Sequence, residues 1–199
     1  MQIQTGDILF QDIGCGAVCD AINGSTLGWK GAEINHCGMA IVIGQQIVVA
    51  EAIAPHVKMT ALPSFLDRTL DDQARPRVIL ARLDPRYHAL IPAAVAFAHA
   101  SVGVPYDGRY GPDGSAMYCS ELIVDAFWRA NGQTAFFPES PMSFSDPVTG
   151  EVLPFWVRYY KHFGEEVPEG ELGSNPGDLS LSDKFSTFRQ LGSLRGLPL

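Results

Sequence analysis

Tyr118-Cys119-Ser120-Glu121-Leu122-Ile123-Val124-Asp125-Ala126-Phe127-Trp128-Arg129-Ala130 is the stretch on which the reading of the fold turns. Cys119, Leu122, Ile123, Ala126, Phe127 and Ala130 recur at the i, i+3, i+4, i+7 spacing of one buried helical stripe, and Asn131-Gly132 ends it. Cys119 therefore falls in the first turn of the strongest helix in the chain. Unpaired N–H groups and the helix dipole there stabilise a thiolate, and the same N–H groups can donate to an oxyanion during acyl transfer. Glu121 works the other way, because a carboxylate in the first turn raises a nearby thiol pKa. Cysteine is also readily buried, and Cys119 lies on the apolar stripe, so the helix by itself fits a packed core thiol equally well. A nucleophile at this position needs a base.

Upstream, Gly6–Phe10 reads as a short strand, and His36–Ile43 and Ile47–Ile53 read as a hairpin about a turn at Gly44-Gln45-Gln46. His36 opens its strand after the polar loop Gly24–Asn35, where it either faces a cleft or caps the strand. Glu51 interrupts an otherwise apolar run, and a charge there requires a partner or solvent. An even-numbered hairpin loop puts Glu51 on the face of His36, whereas an odd one puts it on the opposite face. A two-residue loop at Gly44-Gln45 pairs Glu51 with Gly38 and sets it diagonal to His36, roughly 7–8 Å away, within side-chain reach. That register permits a Cys119–His36–Glu51 triad in which Glu51 orients the imidazole. In the alternative, Glu51 is a solvated edge residue.

Elsewhere, Gly16–Asn23 reads as a short helix, Val78–Leu83 as a strand stopped by Asp84-Pro85, and Ala89–Ser101 as a helix with Pro92 in its first turn and Gly103 at its C-terminal end. Pro105–Met117 is loop-like, carrying Tyr106-Asp107-Gly108 and Gly111-Pro112-Asp113-Gly114. Phe136, Phe137, Phe144, Phe155, Trp156, Tyr159 and Tyr160 are expected mostly in the core, with some free to line an apolar substrate pocket. Glu165–Gly177 reads as irregular surface wrapping. The organisation expected is one catalytic domain over 1–165 and an irregular C-terminal tail over 166–199 that packs on it or extends from it. No internal repeat is present.

A net charge of -8 in 199 residues argues against nucleic acid or an anionic membrane surface as the main partner. The N-terminus lacks a basic region followed by a long apolar run, so no signal peptide is read, and no apolar stretch is long enough to span a membrane. A cytoplasmic setting follows as the expectation. With it goes the expectation that Cys15, Cys19, Cys37 and Cys119 are reduced, Cys15 and Cys37 being small packing residues. A zinc site drawn from Cys15, Cys19, His36 and Cys37 would need the first two on one helix, while His36 and Cys37 point to opposite faces of a strand. No metal or cofactor is expected. Phosphate-binding, dinucleotide-binding and serine-hydrolase signatures are missing from the sequence.

In order along the chain, Gly6-Asp7-Ile8-Leu9-Phe10, His36-Cys37-Gly38-Met39-Ala40, Glu51-Ala52, Pro105-Tyr106-Asp107 and Tyr118-Cys119-Ser120-Glu121-Leu122 resemble the circularly permuted papain-like amidases, the YiiX/YaeF-like branch of the NlpC-type cysteine peptidase superfamily. Pro168-Glu169-Gly170 and Gly173-Ser174-Asn175-Pro176 resemble that family's C-terminal segment. The resemblance implies an α+β fold of permuted topology, with a small antiparallel sheet packed against helices. It implies a cysteine hydrolase with Cys119 as nucleophile, His36 as base and Glu51 as the orienting residue, and supporting, substrate-side roles for Tyr118, Asp7 and Tyr106. Cys37 departs from the aliphatic residue expected beside the histidine. The substrate class implied is a small peptide, an isopeptide or an acylated lipid. Acyl transfer to a nucleophile other than water, and a silent lipid- or peptide-binding module on the same fold, are the alternatives.

Overall fold

The apolar run Ile8–Gln11 forms β1, and all four of its residues are buried because the strand lies inside a sheet covered on both faces. A computed structural model describes residues 2–111 and 114–197; the expected loop residues Pro112 and Asp113 lie outside the described residues. In chain order the other strands of this sheet are β2 (His36–Ile43), β3 (Gln46–Ile53), β4 (His56–Ala61), β5 (Val78–Leu83) and β8 (Phe185–Gln190), β6 and β7 lying outside it. They run in the spatial order β4-β3-β2-β1-β5-β8, and every neighbouring pair is antiparallel. The remaining elements are α1 (Ala17–Ser25), α2 (Leu62–Asp67), α3 (Ile91–Ala100), α4 (Cys119–Ala130), α5 (Pro154–Phe163) and α6 (Pro176–Ser180), with β6 (Ser140–Pro141) and β7 (Leu172–Gly173) forming a separate small ribbon.

One face of the sheet carries Ile8, Phe10, Cys37, Met39, Ala50, Ala52, Ile79 and Ala81 against Ala94 and Ala98 of α3 and Leu122, Ile123, Ala126 and Phe127 of α4. The helical stripe expected from the sequence is thus the one that buries α4. The opposite face carries Leu9, Ala40, Val49, Val78 and Leu80 under Phe65 of α2. A third cluster, built on Met142, Phe144, Trp156 and Tyr160, joins α1 to α5 beside the sheet.

The hairpin loop is the two-residue turn Gly44-Gln45, with Ile43 paired to Gln46 and Met39 to Ala50. Gly44 adopts φ +61°, a conformation that glycine enters at least cost. Continued by one residue, this register sets Gly38 across from Glu51. A Cβ on Gly38 would come within 2.6 Å of a Val49 methyl and 3.0 Å of the Ala50 carbonyl, so the two strands meet there without room for a side chain.

Two expectations are corrected. Cys15 and Cys19 are not reduced thiols: they form a disulfide across one turn at the start of α1, and Cys15 is exposed rather than packed. Their Cα atoms stand 5.4 Å apart, within the reach of a disulfide. The segment beyond residue 165 is not all irregular, because α6 forms within it and Phe185–Gln190 adds the sixth strand against β5. Its alternation is short and rich in polar residues, as suits an edge strand with one wet face. The chain between the hairpin and Val78 contributes β4 and α2, which no strong local pattern announces.

The C-terminal segment is also bolted by charge. Arg195 donates from Nε and from its terminal nitrogen to the two oxygens of fully buried Asp12, each at 2.8 Å, and reaches Glu33 at 2.9 Å. Asp12 also accepts from Asn23 and Asn35, each at 3.1 Å. Arg195→Ala would leave a buried carboxylate short of its charged donors. The half-exposed guanidinium moderates the cost, so a loss of about 1–3 kcal/mol is expected, read as a lower urea midpoint at unchanged slope.

Candidate active site

Glu51 is fully buried, and its carboxylate is surrounded by donors. His36 Nε2 stands 2.7 Å from Oε2. The guanidinium of Arg68, just past α2, donates to both oxygens, 2.9 Å from Nη1 to Oε1 and a closer contact from Nη2 to Oε2. Thr60 of β4 donates its hydroxyl to Oε1. Burial alone would push the Glu51 pKa up, but the bonds from His36 and Arg68 outweigh it and bring the carboxyl down to about 2. The residue is a carboxylate held between His36 and Arg68, on the face set by the two-residue hairpin loop.

Cys119 opens α4, next to the beginning of β2. Its thiol interacts with Cys37 and His36. The hydrogen bond from Cys37 lowers its pKa most; burial opposes ionisation, and His36 lowers the pKa further, leaving it well below that of an ordinary thiol. Burial also disfavours a charged His36, yet its bonds to Cys119 and Glu51 prevail and raise its pKa. Cys37 moves the opposite way: burial and the neighbouring Cys119 push its thiol well up, so it stays protonated and donates S–H to the Cys119 sulfur. Both directions favour a thiolate on Cys119 and an imidazolium on His36, with the carboxylate of Glu51 behind the ring.

The sulfur faces a cleft whose void, mouth included, is about 530 Å³. Tyr106, Tyr110, Tyr118, Met142, Phe144 and Trp156 supply its apolar walls. Apart from the Cys119 sulfur, its described polar groups are uncharged, among them Ser25, Asn35, Ser143, Ser174 and Asn175. Tyr118 is fixed by accepting a bond from the Ser174 amide at 3.1 Å, and Ser174 also bonds Ser120 at 3.0 Å, which ties the C-terminal segment to the start of α4. The Glu121 carboxylate accepts from the Tyr118 amide at 3.2 Å and so caps the helix.

The structure brings Cys119, His36, Glu51, Tyr118 and Tyr106 together. It does not bring Asp7, which sits before β1 at the far end of the sheet, paired through both oxygens with Arg82 at 2.7 Å. Asp7 is a structural anchor there, because that pairing and the Gln4 amide occupy its carboxylate. Of the aromatic stretch, Phe144 and Trp156 line the cleft, while Phe136 and Phe137 pack against α4. Arg68, Cys37 and Gln11 are site residues that sequence reasoning missed. The change from an aliphatic residue to Cys37 beside His36 was the one signal available. Arg68 lies in a stretch without a pattern and reaches Glu51 only through the fold. Among the described residues, no group of three or more His, Cys, Asp or Glu side chains is placed to hold a metal ion, and two members of the zinc set weighed above are disulfide-bonded to each other.

Because the fold lowers the Glu51 pKa from 4.5 to about 2, the ionised carboxylate adds stability that is complete above pH about 4.5 and lost as pH falls toward 2. The stability gap between the parent and Glu51→Gln is therefore expected to be on the order of 3 kcal/mol at neutral pH and to narrow across that window in denaturant titrations. A gap independent of pH would show that the carboxylate is not held in this way.

The signature of a family described as permuted papain-like amidase enzymes, YaeF/YiiX, peptidase family C92, matches residues 2–166. A crystal structure of the metalloprotein YiiX from Escherichia coli O157:H7 superposes with a TM-score of 0.74 at 21% identity, covering 96% of this chain and 98% of that one. No curated protein sequence matches the chain significantly. The α+β architecture, a small antiparallel sheet packed on helices with the histidine ahead of the cysteine in sequence, is the permuted papain-like fold. The chain belongs to the permuted papain-like amidases of family C92 and is a cysteine amidase or peptidase-like hydrolase.

Proposed function

We propose that the protein hydrolyses an amide whose acyl part is uncharged and largely apolar, through an acyl–Cys119 intermediate. The supporting observation is the cleft at the sulfur: aromatic and aliphatic walls, hydroxyls and amides, and, among the described residues that line it, no Asp, Glu, Lys, Arg or His. A charged side chain entering it would lose its hydration without gaining a counter-ion. An acylated amine or lipid fits these walls better than a peptide with a charged residue at the scissile carbonyl.

In this reading the Cys119 thiolate attacks the carbonyl carbon. Amide N–H groups in the first turn of α4 face the developing oxyanion. His36, protonated on forming the ion pair, gives its proton to the leaving nitrogen as the C–N bond breaks, leaving a thioester on Cys119. Water then enters, His36 takes its proton, the carboxylic acid leaves and the ion pair is restored. Glu51 holds the imidazole in position and balances its charge throughout. Tyr118 and Tyr106 shape the acyl side of the cleft.

Limiting iodoacetamide, followed by mass spectrometry, is expected to label Cys119 ahead of Cys37 and well below pH 8, and His36→Ala should abolish that advantage. On chromogenic N-acyl anilides, Cys119→Ala and His36→Ala should each lose roughly 10²-fold or more in kcat, and neutral acyl chains should exceed charged ones in kcat/KM. Labelling of Cys119 no faster than Cys37 would overturn the nucleophile assignment. Preference for a charged acyl group would overturn the substrate class.

A further inference from the structure

Arg68 donates Nη2 to Oε2 of Glu51, the same oxygen that holds His36 Nε2. It is itself closely tethered. Its Nε and Nη2 donate to Oε1 of buried Gln11 at 3.1 and 2.7 Å, Gln11 in turn donates to the Phe65 carbonyl at 2.6 Å, and the guanidinium lies 4.5 Å over the Phe65 ring. Gln11 is also the strand partner of His36 in the β1–β2 ladder. Three adjacent strands and α2 thus close one ring of contacts, Gln11–Arg68–Glu51–His36, on the sheet face opposite α4.

We propose that Arg68 is a positioning residue of the site: by sharing the oxygen of Glu51 that binds His36, it both aims the carboxylate and limits how firmly His36 holds its proton. This rests on the assignment of His36 as the proton carrier. An imidazolium backed by an undivided buried carboxylate is stabilised as the cation and becomes a poor acid toward a leaving amine. A second cation on the same oxygen takes up part of that negative charge and repels the imidazolium. The bidentate fork adds direction, since two parallel N–H bonds leave the carboxylate one plane to occupy. A lysine can supply the charge but not the plane.

The groups facing the imidazole are Cys119 from α4, Cys37 from β2 and Glu51 from β3, with Arg68 behind Glu51; Lys58 of β4 is the strand partner of Glu51. Titration of His36 by NMR in a Cys119→Ala background removes the thiolate and leaves the Glu51–Arg68 effect in view. His36→Gln identifies its resonance among the five histidines. Arg68→Gln is expected to raise the His36 pKa by about one unit, about ten-fold in proton affinity. Arg68→Met, which keeps the stem over Phe65, should do the same if the glutamine variant does not fold. Arg68→Lys should stay close to the parent.

An arginine that merely props up the fold predicts the opposite sign, because a loosened Glu51 would let His36 fall back toward its ordinary value. An unchanged or lowered His36 pKa in Arg68→Gln or Arg68→Met overturns the proposal, as does a lysine variant that shifts as far as glutamine. The outcome is separable from the reading it rests on. If wild-type Cys119 shows no low-pH alkylation, the nucleophile assignment fails whatever Arg68 does; if that reactivity is present and His36 does not respond to Arg68, only the present inference fails.

Discussion

A carboxylate with no solvent exposure has to be held by the fold, and the site is arranged around that requirement at Glu51. Removing one charge from water costs several kcal/mol, recovered only when the partners are close and well directed. Here β2 supplies His36, the segment after α2 supplies Arg68, and β4 supplies a hydroxyl from Thr60. Each donor comes from a different element, so the carboxylate is satisfied only when the β2–β3–β4 meander and α2 have assembled. The same charge that threatens the core therefore makes the assembled site specific.

On the other side of β2, Cys119 depends on the apolar stripe of α4. Packing of Leu122, Ile123, Ala126 and Phe127 against the sheet fixes where the helix begins, and the first turn carries the sulfur to the end of β2. There Cys37 from one face and His36 from the other both reach it. Two chemistries usually kept apart, a hydrophobic core and an ion pair, meet at one strand end. The pairing is economical because His36 and Cys37 are neighbours in sequence and diverge across the strand.

Much of this was legible in the residues. The α4 stripe, the hairpin and the ordered motifs around His36, Glu51 and Cys119 are local patterns, while the parity of the hairpin loop, left open by the sequence, was decided by the Ile43–Gln46 pairing that puts Glu51 on the face of His36. The expectations that failed share one property. Asp7 stands in a motif position, but the direction of β1 carries it away from the site to Arg82. Cys15 and Cys19 read as separate thiols because compartment and composition, rather than geometry, decided the reading; the turn into α1 at Gly16 brings them within bonding distance. Phe185–Gln190 becomes a strand because β5 offers it an open edge, which a short, polar-rich alternation does not announce by itself.

The sequence by itself determined the helix that presents Cys119, the place of the hairpin turn and the residue types available for acyl transfer, because each follows from periodicity or from chemistry within a few residues. Only the tertiary structure decided which side chains share the charge of Glu51, that Cys37 donates to the Cys119 sulfur, and that the cleft is walled by residues from α1, from the loops before α4 and α5 and from the segment after β7. Those contacts join positions far apart in the chain, and what selects them is the physical need to satisfy a buried charge and close an apolar cleft at the same strand end.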